Sequence, residues 1–432
     1  MSPTVIGIIG IGVLLIVLFS RIPIGPGMAL VGFAGFAFIS GMGPALGVLR
    51  QVPFEIFSEY NLSVVPLFIL MGSFSMTAGL SEDLYRVAYK WLGNLKGGLA
   101  MATVGACAFF AAISGSSVAT AATMATVALP EMRRYKYAPS LATGSIAAGG
   151  SIGILIPPSV ILIIYGVIAQ QSIGKLFLAG FIPGVLEAVF YIFTIVVLVQ
   201  INPHLGPRGP QTNFRDKMIS LVRVWEVVLL FLCVIGGIYA GVFTPTEAAG
   251  VGAFGAFFFA LIRKRLTLPN FKESVADTTK NTGMVFIIIL GAMILGYFLS
   301  ITRLPFEMAS FIAELPVNRY IILAFILLLL AMLGCIMDSM AIVLLTVPIF
   351  FPVILGLNFD PIWFGILVVR VTEMGLITPP VGINVYIIKG ISNEPMGTIF
   401  RGVVPFIMAD ILHIALLMAV PQITLFLPSM MT

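Results

Sequence analysis

Charged residues are scarce in this 432-residue sequence, where lysine, arginine, aspartate and glutamate together make up 9% of the positions. Soluble domains carry about 25% charged residues, so this shortage excludes an ordinary soluble protein. Cysteine is scarce too, and Cys107, Cys233 and Cys335 lie in apolar runs without the spacing of metal ligands. The sequence has no phosphate loop of the type Gly-x-x-x-x-Gly-Lys-Ser/Thr, so ATP hydrolysis is not expected.

Apolar sequence is what the chain has in abundance, with 59% hydrophobic residues and a mean hydropathy of +1.12. Since a span needs about 20 apolar residues, the chain supplies roughly ten spans and two shorter re-entrant hairpins. We expect the hairpins at 54–80 and 282–305. The N-terminus has no basic residue before its apolar run, which indicates a first span rather than a signal peptide. The composition therefore predicts an all-α polytopic membrane protein.

Two successive spans are interrupted at membrane depth. The first interruption reads SGSS at 114–117, and the second reads GGSIGILIPPS at 149–159. Proline removes a backbone donor and pushes the preceding residue out of helical space. Unpaired backbone groups in hydrocarbon cost several kcal/mol each, so broken helices persist only where they are buried in protein or line a cavity. This stretch therefore predicts a binding site in the middle of the membrane.

The same design recurs about 220 positions later. VPLFILMG at 65–72 is echoed by VFIIILGA at 285–292, and the first interruption by GCIMDSMAIVLLTVP at 334–348. GILIPPSVILIIYG at 153–166 is echoed by GLITPPVGINVYIIKG at 375–390. Paired, interrupted hydrophobic segments in two halves are typical of the substrate site of a secondary transporter. Glycine and proline that serve only helix packing would be the alternative, but packing does not explain the matched order.

The repeats divide the chain into four segments. We expect N-terminal scaffold spans in 1–50 and a first repeat, with hairpin, broken helix and Pro-Pro segment, in 51–200. A linker, scaffold spans and an amphipathic connector follow in 201–280. The second repeat, with the same three parts and a last span, occupies 281–432.

Basic residues fall unevenly on the two sides of the membrane when these segments are threaded. One side receives 17 of the 23 lysines and arginines, including Arg21, and Arg370 lies within a span. The positive-inside rule places this side in the cytoplasm and both termini outside it. The two hairpins then begin on opposite sides, as an inverted repeat requires. The other side receives five basic residues, namely Arg50, Arg86, Lys90, Lys96 and Lys175.

Ionisable residues within spans are costly and functional by default, and Asp338, Arg370 and Glu373 are the deepest of them. Asp338 lies in the second interruption, where its carboxylate could bind a cation. Arg370 and Glu373 are three residues apart on one helix face, so they could form a mutual ion pair. Alternatively, Arg370 could bind an anionic substrate. Asp410 and His413 in the last span are interpreted as a structural polar pair.

Hydroxyl groups cluster around the first interruption, and Thr378 adds another in the second repeat. Sodium prefers such oxygens beside unwound carbonyls, whereas the N-termini of half-helices favour a substrate carboxylate. Hydroxyls that only join helices are the alternative for any single residue. We expect substrate binding by residues of both breaks, namely Ser116, Ser117, Thr120, Pro158, Arg370, Glu373 and Pro380.

Two other classes of function are disfavoured. Residues 149–153 match G-x-S-x-G, and His413 could be imagined as the base of a serine hydrolase, but the strand-to-helix turn of that motif is not expected here. A passive channel would need a charged ring or a carbonyl filter, and neither is visible. We therefore predict that the protein is not an enzyme, uses no organic cofactor and binds no nucleic acid.

SGSSVATAATMATVALPEM at 114–132, GSIGILIPPS at 150–159 and MGLITPPVGIN at 374–384 resemble the large membrane subunit of tripartite ATP-independent periplasmic (TRAP) transporters. The resemblance covers essentially the whole chain. It implies an ion-transporter-type elevator fold with inverted repeats, two re-entrant hairpins and broken helices. It also implies sodium-driven import of a small carboxylate across the bacterial inner membrane, and the basic-residue count above then places both termini in the periplasm. A periplasmic binding protein would deliver the solute, and a small four-helix membrane subunit, expected on a separate chain, would be the partner.

The resemblance also implies two sodium sites in this sequence. One would use Ser114 with backbone near Gly153 and Ile156. The other would use Gly334, Gly375, Thr378 and Val381, mostly through backbone carbonyls, to which we add Asp338 from the residues alone. The resemblance leaves the identity of the organic acid open.

Overall fold

The computed structural model describes residues 2–20, 22–314 and 316–431, and within these ranges the chain is helical without a β-strand. The first part of the chain forms α1 (Pro3–Phe19), α2 (Ile24–Ser40), α3 (Met42–Ser58), α4 (Val64–Thr77), α5 (Leu80–Leu92), α6 (Gly98–Ser114), α7 (Ser117–Arg134), α8 (Pro139–Ser151), α9 (Val160–Ile168) and α10 (Ile173–Ile201). The middle part forms α11 (Phe214–Val222), α12 (Trp225–Phe231), α13 (Gly237–Tyr239) and α14 (Pro245–Ile262). The last part forms α15 (Leu268–Thr302), α16 (Leu304–Glu314), α17 (Arg319–Gly334), α18 (Ser339–Gly356), α19 (Pro361–Gly375), α20 (Ile383–Ser392), α21 (Met396–Ala419) and α22 (Gln422–Ser429).

Six helices of the described residues are long and apolar enough to cross a membrane by themselves, or seven if α11–α13 count as one bent span. The number is smaller than the expected ten because several spans are assembled from short helices. A 3₁₀ turn at Ile152–Ile154 and the Pro-Pro segment separate α8 from α9, and a second Pro-Pro segment separates α19 from α20. The predicted broken helices are thus present in both halves.

The two re-entrant hairpins do not lie where the sequence placed them. The backbone N–H of Leu99, at the start of α6, donates to the hydroxyl of Tyr137, just beyond α7, at 3.1 Å. The chain therefore returns to the end at which it began, and α6–α7 is a hairpin. At the other repeat, Arg319 at the start of α17 donates to the carbonyl of Leu357 after α18, at 3.4 Å. Hence α17–α18 is the second hairpin.

The segments predicted as hairpins are candidate spans instead. The predicted hairpin at 54–80 contains a helical stretch, Tyr60–Thr77, that is a candidate span, and the one at 282–305 lies mainly in the continuous 35-residue helix α15. The amphipathic connector predicted within 201–280 is partly the start of α15, so the boundary at 280 falls inside a helix. A short apolar segment with polar flanks can be either a membrane-crossing helix or part of a re-entrant hairpin. Both hairpins were misplaced for this reason.

Contacts between helix ends and connecting segments show which of them lie at the same end of the molecule. On one end, Trp91 Nε1 donates to the carbonyl of Lys217 at 3.3 Å, and Arg263 bridges Asp83 and Glu226 at 2.6 and 2.7 Å. We call this end the basic face. On the opposite face, Thr4 Oγ1 donates to Glu307 at 2.6 Å.

These contacts change the side of the membrane assigned to five basic residues. Arg86, Lys90 and Lys96 belong to the basic face, because α5 contacts Lys217 of α11 and Thr212, which precedes that helix. Arg303 and Arg319 belong to the opposite face, whereas Arg21 lies outside the described residues. With these changes, the basic residues placed on the opposite face are Arg50, Lys175, Arg303 and Arg319.

Close backbone contacts at glycines join helices from the two halves of the chain. A Cβ atom on Gly291 of α15 would lie 2.1 Å from the carbonyl oxygen of Gly25 in α2. A Cβ atom on Gly402 of α21 would lie 2.0 Å from the carbonyl of Ser140 in α8. Such small residues let backbones approach where apolar side chains gain little from leaving lipid. Two tightly packed units result, α2 with α15 and α8 with α21.

Candidate functional site

The tip of the first hairpin is closed by hydroxyl groups. Ser114 ends α6, Gly115 follows with a left-handed φ of +59°, and Ser116 caps α7 by accepting from the N–H of Ala119 at 3.3 Å. The Ser114 and Thr120 hydroxyls lie 2.9 Å apart across this turn. Only glycine adopts the left-handed conformation without strain, so the SGSS sequence dictates the sharp turn.

The first Pro-Pro break packs directly against this tip. A Cβ atom on Gly115 would lie 3.0 Å from the carbonyl oxygen of Pro158, and one on Gly153 would lie 3.4 Å from Thr120 Oγ1. The structure thus places Ser114 and Gly153, which are predicted sodium-site residues, beside Thr120 and Pro158, which are predicted substrate-binding residues. Ile156 lies in the same break, with its side chain against Gly184 of α10.

The tip of the second hairpin repeats this arrangement with an acid at the cap. Asp338 caps α18 by accepting from the N–H of Met340 at 3.0 Å. The backbones of Gly334 and Gly375 touch, because a Cβ atom on Gly375 would lie 2.4 Å from the Cα of Gly334. The Thr378 hydroxyl donates to the carbonyl of Met374 at 2.6 Å, which leaves its oxygen lone pairs available.

The second Pro-Pro break is more open than the first. Pro380 is exposed and Val381 half-buried, whereas Pro158 is buried. Gly382 follows with a φ of +62° and precedes α20. The unwound segment between α19 and α20 is therefore more accessible than the corresponding segment of the first break, which is buried in protein.

Glu373 joins the two hairpins. The Ser117 hydroxyl, at the first residue of α7, donates to Glu373 Oε2 at 2.5 Å. Ser339, at the first residue of α18, lies beside the same carboxyl group. The N-terminus of a helix carries a partial positive charge, so two half-helix N-termini converge on this fully buried acid. Ser117 and Glu373 are thus together, as expected of one binding region.

Arg370 does not pair with Glu373, so that predicted ion pair is wrong. Its guanidinium donates to Asp410 Oδ1 and, at 3.2 Å, to His413 Nδ1. Arg370 has 0% exposure and faces α10 and α21, so it is engaged away from the two tips. Asp410 and His413 are therefore its partners rather than a pair by themselves.

Glu187 of α10 is a further member of this cluster and was not predicted from the sequence. Its Oε1 lies 3.4 Å from Arg370 Nη2, and the residue has 0% exposure. The available signal was a lone acid within an otherwise apolar span, which the rule for intramembrane ionisable residues would have flagged.

The G-x-S-x-G match at 149–153 has no hydrolase geometry. The Ser151 hydroxyl donates to the carbonyl of Ala148 at 2.7 Å within α8. His413 Nδ1 accepts from Arg370. Both groups are therefore engaged in other hydrogen bonds.

Comparison with known proteins finds one matching family model and several similar transporter subunits. The family model described as "Tripartite ATP-independent periplasmic transporter, DctM component" matches residues 11–423. The C4-dicarboxylate TRAP transporter large permease protein DctM of Pseudomonas aeruginosa is 35% identical over 377 residues, which cover 87% of this chain and 88% of that protein. The sialic acid TRAP transporter large permease protein SiaM of Vibrio cholerae is 32% identical over 96% of both chains. The isethionate TRAP transporter permease protein DctMQ of Oleidesulfovibrio alaskensis is 33% identical over 99% of this chain and 69% of that protein.

Solved structures share the fold at low sequence identity. The Alcanivorax borkumensis YdaH transporter, described as having an unusual topology, superposes with a TM-score of 0.63 at 14% identity, over 88% of this chain and 89% of that one. Neisseria gonorrhoeae MtrF, from a class of antimetabolite efflux pumps, superposes with a TM-score of 0.61 at 13% identity, over 89% and 85%. These matches support the expected all-α transporter fold with hairpins and broken helices.

Proposed function

Because the chain belongs to the DctM family of TRAP transporters and is a large permease subunit, hence a solute transporter and not an enzyme, we propose that it imports an organic acid by coupling to sodium. The convergence of both hairpin tips and both Pro-Pro breaks around Glu373 carries this proposal. Broken helices at mid-membrane supply oxygen ligands for a cation and N–H groups for an anion.

Two sodium sites fit the two breaks. The first comprises Ser114 with the backbone of Gly153 and Ile156, where the tip and the break are in contact. The second comprises the backbone of Gly334, Gly375, Thr378 and Val381, together with the carboxylate of Asp338. Sodium is the only cofactor in this proposal.

The substrate is a small organic anion. Relatives are named for C4-dicarboxylate, sialic acid and isethionate, all of which are organic acids. The N-termini of α7 and α18 offer N–H groups to such an anion, and Ser116, Ser117, Thr120, Pro158 and Pro380 line the same region. Glu373 shares these N-termini with the substrate, whereas Arg370 has no part in binding it.

Transport follows an elevator mechanism in which the hairpin-bearing unit moves past the scaffold. The tightly packed α2–α15 pair belongs to the scaffold, and the α8–α21 pair belongs to the moving unit. A cleft of about 660 Å³ is lined by Tyr297 of α15 on the scaffold side and by Leu344 of α18 and Ile168 of α9 on the side of the hairpins. Such a cleft gives the moving unit a surface along which to slide.

The basic face lies in the cytoplasm of a bacterial cell, and both ends of the chain lie in the periplasm. Among the described residues, four basic residues lie on the opposite face in the corrected threading, and the positive-inside rule therefore assigns this face to the outside. A periplasmic binding protein delivers the solute there. A small four-helix membrane subunit completes the transporter in the inner membrane.

Uptake into proteoliposomes tests the proposal. The chain is co-purified with the small subunit, and radiolabelled C4-dicarboxylate, sialic acid and isethionate are offered with their cognate binding proteins. We expect uptake of one of these that requires an inward sodium gradient and collapses when sodium is equilibrated. Uptake that ignores sodium and follows a proton gradient would contradict the proposal.

A further inference from the structure

A second buried polar cluster lies where α10, α19 and α21 meet, and no step of the proposed transport uses it. Its core consists of four residues that each have 0% exposure: Glu187, Arg370, Asp410 and His413. The hydroxyls of Tyr191 and Ser151, which lie 3.2 Å apart, adjoin Glu187. The cluster therefore holds several ionisable groups away from water, and their charges must balance.

The hydrogen bond between Arg370 and His413 fixes the charge of the histidine. Arg370 Nε lies 3.2 Å from His413 Nδ1. A guanidinium is always a donor and never an acceptor, so Nδ1 must offer a lone pair. The ring proton then resides on Nε2, and His413 is neutral. Arg370 is thus the only cation among the four core residues.

Two carboxyl groups face this one cation in different ways. Asp410 Oδ1 accepts a hydrogen bond from Arg370 Nη2. Glu187 Oε1 lies farther from the same nitrogen, at 3.4 Å, and neither Glu187 oxygen accepts a hydrogen bond from the described residues. If both acids were ionised, the cluster would bury one uncompensated negative charge.

Burying an unpaired charge is so costly that the group is neutralised instead. Glu373, which follows Arg370 by one turn on α19, lies within electrostatic range of Glu187 and would only add negative charge. From α8 and α10 the cluster is faced by the neutral hydroxyls of Ser151 and Tyr191. A single additional positive charge is therefore required, and Glu187 is the acid without a full ion pair.

We propose that Glu187 binds this charge as a proton. The cluster is then an Arg370–Asp410 ion pair beside a neutral carboxylic acid whose O–H donates to an adjacent hydroxyl. A sodium ion fits less well, because it needs several oxygen ligands and would lie beside the fixed guanidinium. The site is a proton-binding site distinct from the proposed sodium sites, and it links α10 of the first repeat to α19 and α21 of the second.

Paired substitutions distinguish the two acids. Glu187→Gln keeps the shape of a protonated acid, so we expect the apparent melting temperature of the full-length chain to fall by no more than about 2 °C. Asp410→Asn removes the counter-charge of buried Arg370, and we expect a fall of roughly 5 °C or more. Equal losses in the two variants, or a larger loss in Glu187→Gln, would overturn the proposal.

Infrared spectroscopy detects the proton itself, even if a variant is too unstable for transport. The difference spectrum of the wild-type chain minus Glu187→Gln at neutral pH is expected to contain a carbonyl band of a protonated carboxyl group. The matched difference with Asp410→Asn is expected to contain the bands of an ionised carboxylate. Loss of a carboxylate band in Glu187→Gln would overturn the proposal, as would a sodium-dependent gain in melting temperature that Glu187→Gln abolishes.

Discussion

The two hairpin tips occupy equivalent places in the repeats but are built from different chemistry. The first tip is neutral and closed, with the Ser114 and Thr120 hydroxyls in contact and the buried Pro158 behind them. The second tip has an acid, Asp338, as its helix cap, and Pro380 of the adjoining break is exposed. A repeated fold thus provides two breaks whose electrostatics and accessibility diverge.

From this difference we infer that the first tip is the more rigid of the two and that the second rearranges more readily. A neutral site binds a cation through dipoles alone, whereas a carboxylate adds a Coulomb attraction that grows as water is excluded. We therefore expect substitutions at matched positions of the two tips to have unequal effects. The pairs Gly153 and Gly375, Ser116 and Asp338, and Ser117 and Ser339 are each separated by 222 positions.

The largest effect is expected from Gly375→Ala. Its Cβ atom would lie 2.4 Å from the Gly334 Cα, so the tip and the break must separate. Overpacking of this kind costs about 1–3 kcal/mol, and we expect uptake to fall by more than about tenfold. The matched control, Gly153→Ala, meets Thr120 Oγ1 at 3.4 Å and is expected to retain most uptake. Equal losses would mean that the two breaks are packed alike.

Asp338→Asn is expected to have the next largest effect. Asparagine is as good a helix cap as aspartate, so the substitution removes the charge and keeps α18 in place. We expect the sodium concentration for half-maximal uptake to rise by about tenfold, because a Coulomb attraction to the cation is lost. The control at the neutral tip, Ser116→Ala, removes a cap but no charge and should change sodium dependence little. Unchanged sodium dependence in Asp338→Asn would assign Asp338 to capping alone.

Ser117→Ala is expected to have a smaller effect. It removes the hydrogen bond to Glu373 that joins the hairpins, and bonds to charged or buried acids contribute about 1.5–3 kcal/mol. We expect the apparent substrate constant to rise by about fivefold. Ser339→Ala is the control, because the Ser339 hydroxyl has no hydrogen-bond partner among the described residues. A stronger effect of Ser339→Ala would mean that the second tip, and not the first, bonds to Glu373.

The breaks could be predicted from the sequence because glycine, serine and proline act locally on the backbone. Gly115 and the Pro-Pro pairs interrupt the helices at the expected positions. The hairpins were misplaced because hydropathy gives only the length of an apolar segment. It does not indicate whether the chain crosses the membrane or turns back to the side from which it entered. Contacts such as the one between Leu99 and Tyr137 were required to show that it does.

The partner of Arg370 could not be predicted because it is distant along the chain. A spacing of three residues suggested Glu373 as the partner. In the structure, however, Arg370 bonds to His413, whereas Glu373 bonds to Ser117. Glu187 and Asp410 lie on α10 and α21, and only the packing of those helices brings them to Arg370. Local spacing identifies residues on one face, whereas the choice among long-range partners is made by the tertiary structure.

Labelling of two cysteines tests most directly whether the hairpins begin on opposite sides of the membrane. Arg134→Cys, at the base of the first hairpin, and Gly356→Cys, at the base of the second, are introduced singly into a cysteine-free chain in intact cells and in inverted vesicles. We predict that a membrane-impermeant thiol reagent labels Gly356→Cys only in cells and Arg134→Cys only in inverted vesicles. Labelling of both positions from the same side would contradict the inverted repeat and the meeting of the two tips.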